Sequence, residues 1–225
     1  MAVPRGGYPR AVAANDPSVA RRRDPASRVR LAVWALVPVA ASAAIGLYFA
    51  FRSSEASTPA ATAAVETWGT GELRAPDFRL TDEYGKPVSI GAERGRRVIL
   101  TFVDPHCTTF CPRESIVLND AIAKLPAADR PAILAVNVNP PVSAPAALRK
   151  EARRFKWLPQ WRWATGPPAR LRAVWRDYHI QVIPAKADIG HTEAAYLIDG
   201  NGDQRALFLW PFHAGDVAAA LQKLS

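Results

Sequence analysis

Cysteine and histidine are scarce: two and four, respectively, among 225 residues. Two cysteines exclude a disulfide-stapled scaffold and a zinc site built from cysteine alone, which needs four. They leave one pair, available as a disulfide, a redox dithiol or a metal clamp. There is no internal repeat. Nor are the hydrophobic (49%) and charged (22%) fractions those of a wholly disordered chain. Acidic residues are few in the first 30 positions, where seven Arg face only Asp16 and Asp24. That tail therefore holds +5 of the formal net charge of +9. A nucleic-acid role would need basic residues and aromatics interleaved on a folded face, so this excess points elsewhere.

The tail runs into Leu31–Phe51, 21 residues without a charge. A helix of that length spans roughly 31 Å, close to the hydrocarbon thickness of a bilayer. Trp34 and Tyr48 stand near its ends, as interfacial anchors do. A cleaved signal peptide has an apolar region of only about 7–15 residues, so an uncleaved anchor is expected. Arg21, Arg22, Arg23, Arg28 and Arg30 precede it and Arg52 alone directly follows. The positive-inside rule then leaves the N-terminus cytoplasmic and the rest extracytoplasmic, on the periplasmic side. Residues 1–30 read as a disordered basic tail, 31–51 as the transmembrane anchor, 52–70 as a Ser/Thr/Ala-rich linker and 71–225 as the folded domain.

Within that domain strand and helix signals alternate. Asp77–Ile90 reads as a hairpin about Tyr84-Gly85-Lys86-Pro87. Arg97–Val103 and Ala132–Val138 are β-branched apolar runs fit for buried strands. Helices are expected over Pro112–Leu125, Ala144–Phe155, Pro167–Tyr178 and Gly215–Leu224. Ala194–Asp199 and Gln204–Trp210 flank a Gly-Asn-Gly turn and read as a second hairpin. This order predicts an α/β fold with a mixed central sheet, a thioredoxin-like sandwich. Arg149, Lys150, Arg153 and Arg154 read as the solvated face of their helix.

Cys107 and Cys111 follow the first buried strand, at its carboxyl end, where open α/β sheets place their sites. Residues four apart on a first helical turn share a face, with Cβ atoms about 5–6 Å apart. That spacing permits an S–S bond after small adjustment, and equally two thiolates on one ion. A helix N-terminus lowers thiol pKa, and soft thiolates favour Cu(I). A bridge closing so short a loop adds little stability. Of the four histidines, His191 stands just before the strand at Ala194, in a loop that faces the cysteine turn in a thioredoxin-like fold. It is a candidate third donor. His106 adjoins Cys107 and is a candidate for tuning the thiol, whereas His179 and His213 read as surface or packing residues.

Three stretches, APDFRLTDEYGKPVSI, VILTFVDPHCTTFCP and GHTEAAYLIDGNGDQRALF, resemble the Sco/SenC family of membrane-anchored, thioredoxin-like copper proteins. The resemblance covers about residues 75–225. It implies copper, as Cu(I) or Cu(II), bound by Cys107, Cys111 and His191, and delivery to the dinuclear centre in the copper-bearing subunit of cytochrome c oxidase, or to another copper or thiol client. The family often carries an acid-containing stretch, VDPxxDTP, after the next strand; here Asn137 and Asn139 stand in VNVNPPVSAP. An acid often precedes the metal histidine; here Gly190 does, with Asp188 three residues before His191. Two enzyme readings compete. A thiol–disulfide oxidoreductase would use Cys107 as attacking thiol, though such catalysts normally carry Cys-x-x-Cys. A peroxidase would use Cys111 with Thr108 three residues before it, but Pro105 lies six rather than seven before.

Overall fold

The computed structural model describes residues 64–184 and 189–224. The expected tail, the Leu31–Phe51 anchor, most of the linker and Asp188 lie outside the described residues. No described helix is long and apolar enough to cross a membrane.

The elements in chain order are β1 (Glu66–Thr67), β2 (Leu80–Thr81), β3 (Pro87–Val88), β4 (Val98–Val103), α1 (Cys111–Ala123), β5 (Ala132–Asn137), α2 (Pro145–Arg154), β6 (Trp161–Ala164), α3 (Pro168–Asp177), β7 (Val182–Ile183), β8 (Gly190–His191), β9 (Ala194–Ile198), β10 (Gln204–Leu209) and α4 (Ala214–Gln222). Six strands form one sheet in the order β1-β10-β9-β4-β5-β6. β4, β5 and β6 run parallel, and β9, β10 and β1 are added antiparallel. The sheet is therefore mixed, as the sequence predicts, with helices on both faces.

Strand alternation sorts the core. Ile99 and Val103 join Leu118, Ile122, Trp163, Phe208, Val217 and Leu221 on the face covered by α1, α2 and α4. Val98, Leu100 and Phe102 point to the other face, with Leu134, Val136, Leu171, Val174, Tyr178 and Tyr196, under α3 and the β2–β3 hairpin. Every residue of β4, β5 and β9 is buried, which is why those strands read as unbroken apolar runs. Pro112, Pro145 and Pro168 each fall in a first helical turn, where the missing N–H costs no helix bond.

The sheet differs from the sequence expectation at its edges. β6 lies between the second and third helices, where no strand is expected; Trp161 and Trp163 are buried and Arg162 pairs with Glu93. Trp157 stacks on Trp161 with centroids 4.6 Å apart, and Trp163 donates its indole N–H to the Leu148 carbonyl at 2.9 Å. β1 falls within the segment read as linker and pairs with Leu207 and Ala206 of β10. β7 and β8 form a small ribbon whose register sets Val182 against His191.

Candidate metal centre

β4 ends at Val103, and the chain turns through Asp104, Pro105, His106 and Cys107 before α1 begins at Cys111. The Cys107 amide donates to the Asp104 carbonyl at 3.1 Å, closing this turn. The Cys111 amide, one of the unpaired donors at the start of α1, points at the Cys107 sulfur 3.3 Å away. The Cys107 sulfur thus lies at the N-terminal end of α1, where partial positive charge favours a thiolate. The Thr109 hydroxyl lies 3.7 Å from the same sulfur.

Both cysteines are free thiols and buried, Cys111 completely and Cys107 with 5% of its surface exposed. The Cys111 side chain hydrogen-bonds Cys107, which, with the Cys111 amide and Thr109, outweighs burial and pulls Cys107 down to about 5. Cys111 is pushed up by holding that shared proton, by burial and by the charge of Cys107. At neutral pH the pair is one thiolate and one thiol.

His191 arrives from the other side, on β8. Its Nε2 lies 4.0 Å from the Cys111 sulfur. Its Nδ1 lies 3.1 Å from the Thr192 carbonyl, an acceptor only, so Nδ1 carries the proton and Nε2 presents its lone pair to the cysteines. Burial lowers the His191 pKa, keeping the imidazole neutral and ligand-competent. Metal–sulfur and metal–nitrogen bonds of roughly 2.3 and 2.0 Å at 120° would set sulfur and nitrogen about 3.7 Å apart. The 4.0 Å gap is close to that spacing. Among the described residues no three His, Cys, Asp or Glu side chains are already closed into a metal cage. Binding an ion here therefore means drawing the donors together, by tenths of an ångström for Cys111 and His191. Two soft sulfurs and one imidazole suit Cu(I).

The structure adds supporting residues that the sequence does not single out. Asp104 is fully buried and ties three segments: Oδ1 accepts from the His106 amide and the Asn139 side chain, both at 2.9 Å, and Oδ2 from the Ile189 amide at 3.2 Å. It thereby joins the cysteine turn, the loop after β5 and the histidine ribbon. Asn137 accepts from the Asn139 amide at 2.7 Å and donates to the Val142 carbonyl and the Thr165 hydroxyl. Gly190 is not forced by space, since an added Cβ would meet Ile183 at an ordinary 3.7 Å.

Arg154 corrects the reading of α2 as carrying a purely solvated basic face. It donates to the carbonyls of Pro105 and Cys107 at 2.8 and 3.0 Å while pairing with Glu151. Arg149 likewise donates to the Glu83 carbonyl. Glu114, one turn into α1, is buried, with Oε1 accepting from Thr101 at 2.5 Å and Oε2 unpartnered. Burial raises it to about 8, so it is mainly protonated and adds little repulsion to the thiolate. Burial and the Cys107 charge raise Glu193 to about 7. His106 is exposed, as are His179 and His213, and the His106 amide is held by Asp104.

A thioredoxin-like sheet with a dithiol at the carboxyl end of its central strand and an imidazole on the facing ribbon defines the class: a thiol protein built for soft-metal or disulfide chemistry. The family model for SCO1/SenC matches residues 66–225, and the chain belongs to that family. Copper-bound ScoI of Bradyrhizobium japonicum is 25% identical, with 68% of this chain and 100% of that chain covered and a TM-score of 0.57. Copper-bound ScoI of Arabidopsis thaliana is 21% identical, with 67% and 97% covered and a TM-score of 0.61. BsSco, a member of the Sco family of cytochrome c oxidase assembly proteins in which a disulfide switch was identified, is 19% identical, with 72% and 97% covered and a TM-score of 0.60. No curated protein matches the chain.

Proposed function

We propose that this protein is a membrane-anchored copper metallochaperone that loads the dinuclear copper centre of cytochrome c oxidase from the extracytoplasmic side. Leu31–Phe51 is the proposed anchor. The observation that carries the reading is the convergence of the Cys107–Cys111 pair and the unprotonated Nε2 of His191 on one point. Membership in SCO1/SenC and the copper held by its relatives support it.

In this mechanism Cu(I) is the cargo. The Cys107 thiolate meets the ion first, because it is already charged and the less buried of the two sulfurs. Cys111 then gives up its proton to solvent as its sulfur bonds the metal, and His191 supplies the third donor without any proton change. No electron moves. Three donors leave room for an incoming client ligand, so copper leaves by exchange of one bond at a time. The thiols must be reduced for loading.

The experiment is copper stoichiometry and absorption of the reduced full chain, with and without His191→Ala. Near-stoichiometric binding, weakened in the variant, is the expected result. An unchanged affinity in His191→Ala would remove the histidine from the site, and no binding by the reduced wild type would end the proposal.

A second reading, thiol–disulfide exchange on client cysteines, is favoured by one observation: Cys107 is a thiolate beside a thiol, the arrangement an attacking sulfur needs. Insulin-reduction turnover tests it.

A further inference from the structure

Copper cannot leave this site without close contact. Cys111 is fully buried and Cys107 almost so. A partner's donor atom must come within a metal bond, roughly 2.3 Å, while its fold rests on the surface around the sulfurs. A specific complex needs about 800 Å² from each side, more than a five-residue turn supplies. Two large apolar side chains are exposed beside the site. Phe110, between the cysteines, is 47% exposed, and Ile183, paired with the residue before His191, is 56% exposed.

A groove of about 790 Å³ runs on from His106. Pro140, Pro141, Val142, Trp175, Ile180 and Val182 are among its lining, and Arg172 and Arg176 stand along it. Both arginines are exposed, and Arg176 shares its charge with Asp177. Among the described residues no acid lines the groove. Its Pro140–Val142 wall is uncharged, so among the described residues the groove is apolar with a basic edge.

We infer that this groove, together with Phe110 and Ile183, is the docking surface for the copper-exchange client, a protein domain presenting an apolar centre with an acidic edge. The inference rests on the copper-delivery reading for the identity of the client. Apolar burial supplies the affinity, whereas Arg172 and Arg176 steer the acidic edge and set the orientation that brings the client's ligand to the sulfurs.

The test uses the full chain in mild detergent, reduced and Cu(I)-loaded, with the metal-free copper-bearing domain of cytochrome c oxidase from the same organism as the probe. Binding is measured by titration calorimetry and copper transfer by the absorption of the acceptor. The variants are Val142→Asp and the double change Arg172→Glu with Arg176→Glu, both away from the proposed ligands. Each is expected to weaken binding about tenfold or more while the donor's copper content and absorption stay as in the wild type. Raising salt is expected to weaken the wild type more than the double variant. Variants that bind like the wild type, or a wild type that does not bind, would overturn the docking surface. Transfer that ignores both changes would overturn it and leave copper delivery standing. Groove-dependent binding without transfer would keep the surface and sink copper delivery.

Discussion

Removing the Cys111 sulfur should raise the pKa of Cys107. The perturbation is Cys111→Ala, which deletes the donor that contributes most to holding Cys107 down at about 5. A hydrogen bond to a charged acceptor contributes about 1.5–3 kcal/mol. At about 1.4 kcal/mol per pKa unit, its loss moves the midpoint up by roughly one to two units. The Cys111 amide and the Thr109 hydroxyl remain to prevent a full return to the ordinary thiol range. The assay is ultraviolet thiolate absorbance against pH on the reduced, metal-free full chain. The wild type is expected to show a single thiolate forming near pH 5, which makes Cys107 about 99% ionised at neutral pH. Cys107→Ala abolishes that step. The same arithmetic fixes the proton count of metal binding: close to one proton, that of Cys111, is released per Cu(I) at neutral pH, rather than two. A wild-type midpoint above about 8, or a midpoint that Cys111→Ala leaves in place, would refute the shared-proton account.

Glu114→Gln should flatten the fall in stability between about pH 4 and pH 8. The folded carboxyl sits at about 8 and the unfolded one near 4.3, so the native state holds the extra proton between those values. Stability due to this group therefore declines as pH rises from about 4 to about 8, by at most about 1.4 kcal/mol per unit. Depression of Cys107 acts in the opposite sense between about 5 and its ordinary value, so the test is the difference between the wild-type and variant denaturation profiles; parallel profiles would refute it. Asp104→Ala should leave the His106 and Ile189 amides and the Asn139 side chain unsatisfied. The expected cost is about 1–3 kcal/mol for a buried group so orphaned, with copper affinity falling about 10–100-fold. Copper titration of folded Asp104→Ala that gives the wild-type affinity would remove Asp104 from the support of the site.

The elements legible in the sequence were those whose burial is uniform. β4, β5 and β9 are wholly buried, so their apolar runs alone marked them. β6 escaped because Arg162 interrupts it and its apolar residues are tryptophans, whose place depends on the Trp157–Trp161–Trp163 stack. β1, β7 and β8 are two residues each, too short for any period to show. At the site, the three proposed donor residues stand in local text beside a readable strand. Asp104, Glu114 and Arg154 act across segments, and only the fold brings Arg154 to carbonyls 49 and 47 residues away. Asp104 did leave a trace: an acid at the end of a buried strand must find donors.

That acid also explains how the loop after β5 is tied to the site with asparagines rather than a carboxylate of its own. An asparagine at position 139 differs from an aspartate in needing an acceptor as well as offering one. Asp104 is that acceptor, at 2.9 Å, so the negative charge sits on the β4 turn rather than the β5 loop. From there it reaches Ile189, two residues before His191, and couples the histidine ribbon to the cysteine turn directly. His191 itself leans on a neutral carbonyl, not on an acid. A neutral acceptor makes the imidazole a weaker donor than a carboxylate would. The chain thus holds the position of the proposed third ligand through the backbone, and the neutral acceptor would keep its bond to copper weak. That combination suits a carrier whose histidine is the first bond to yield when a client's donor arrives.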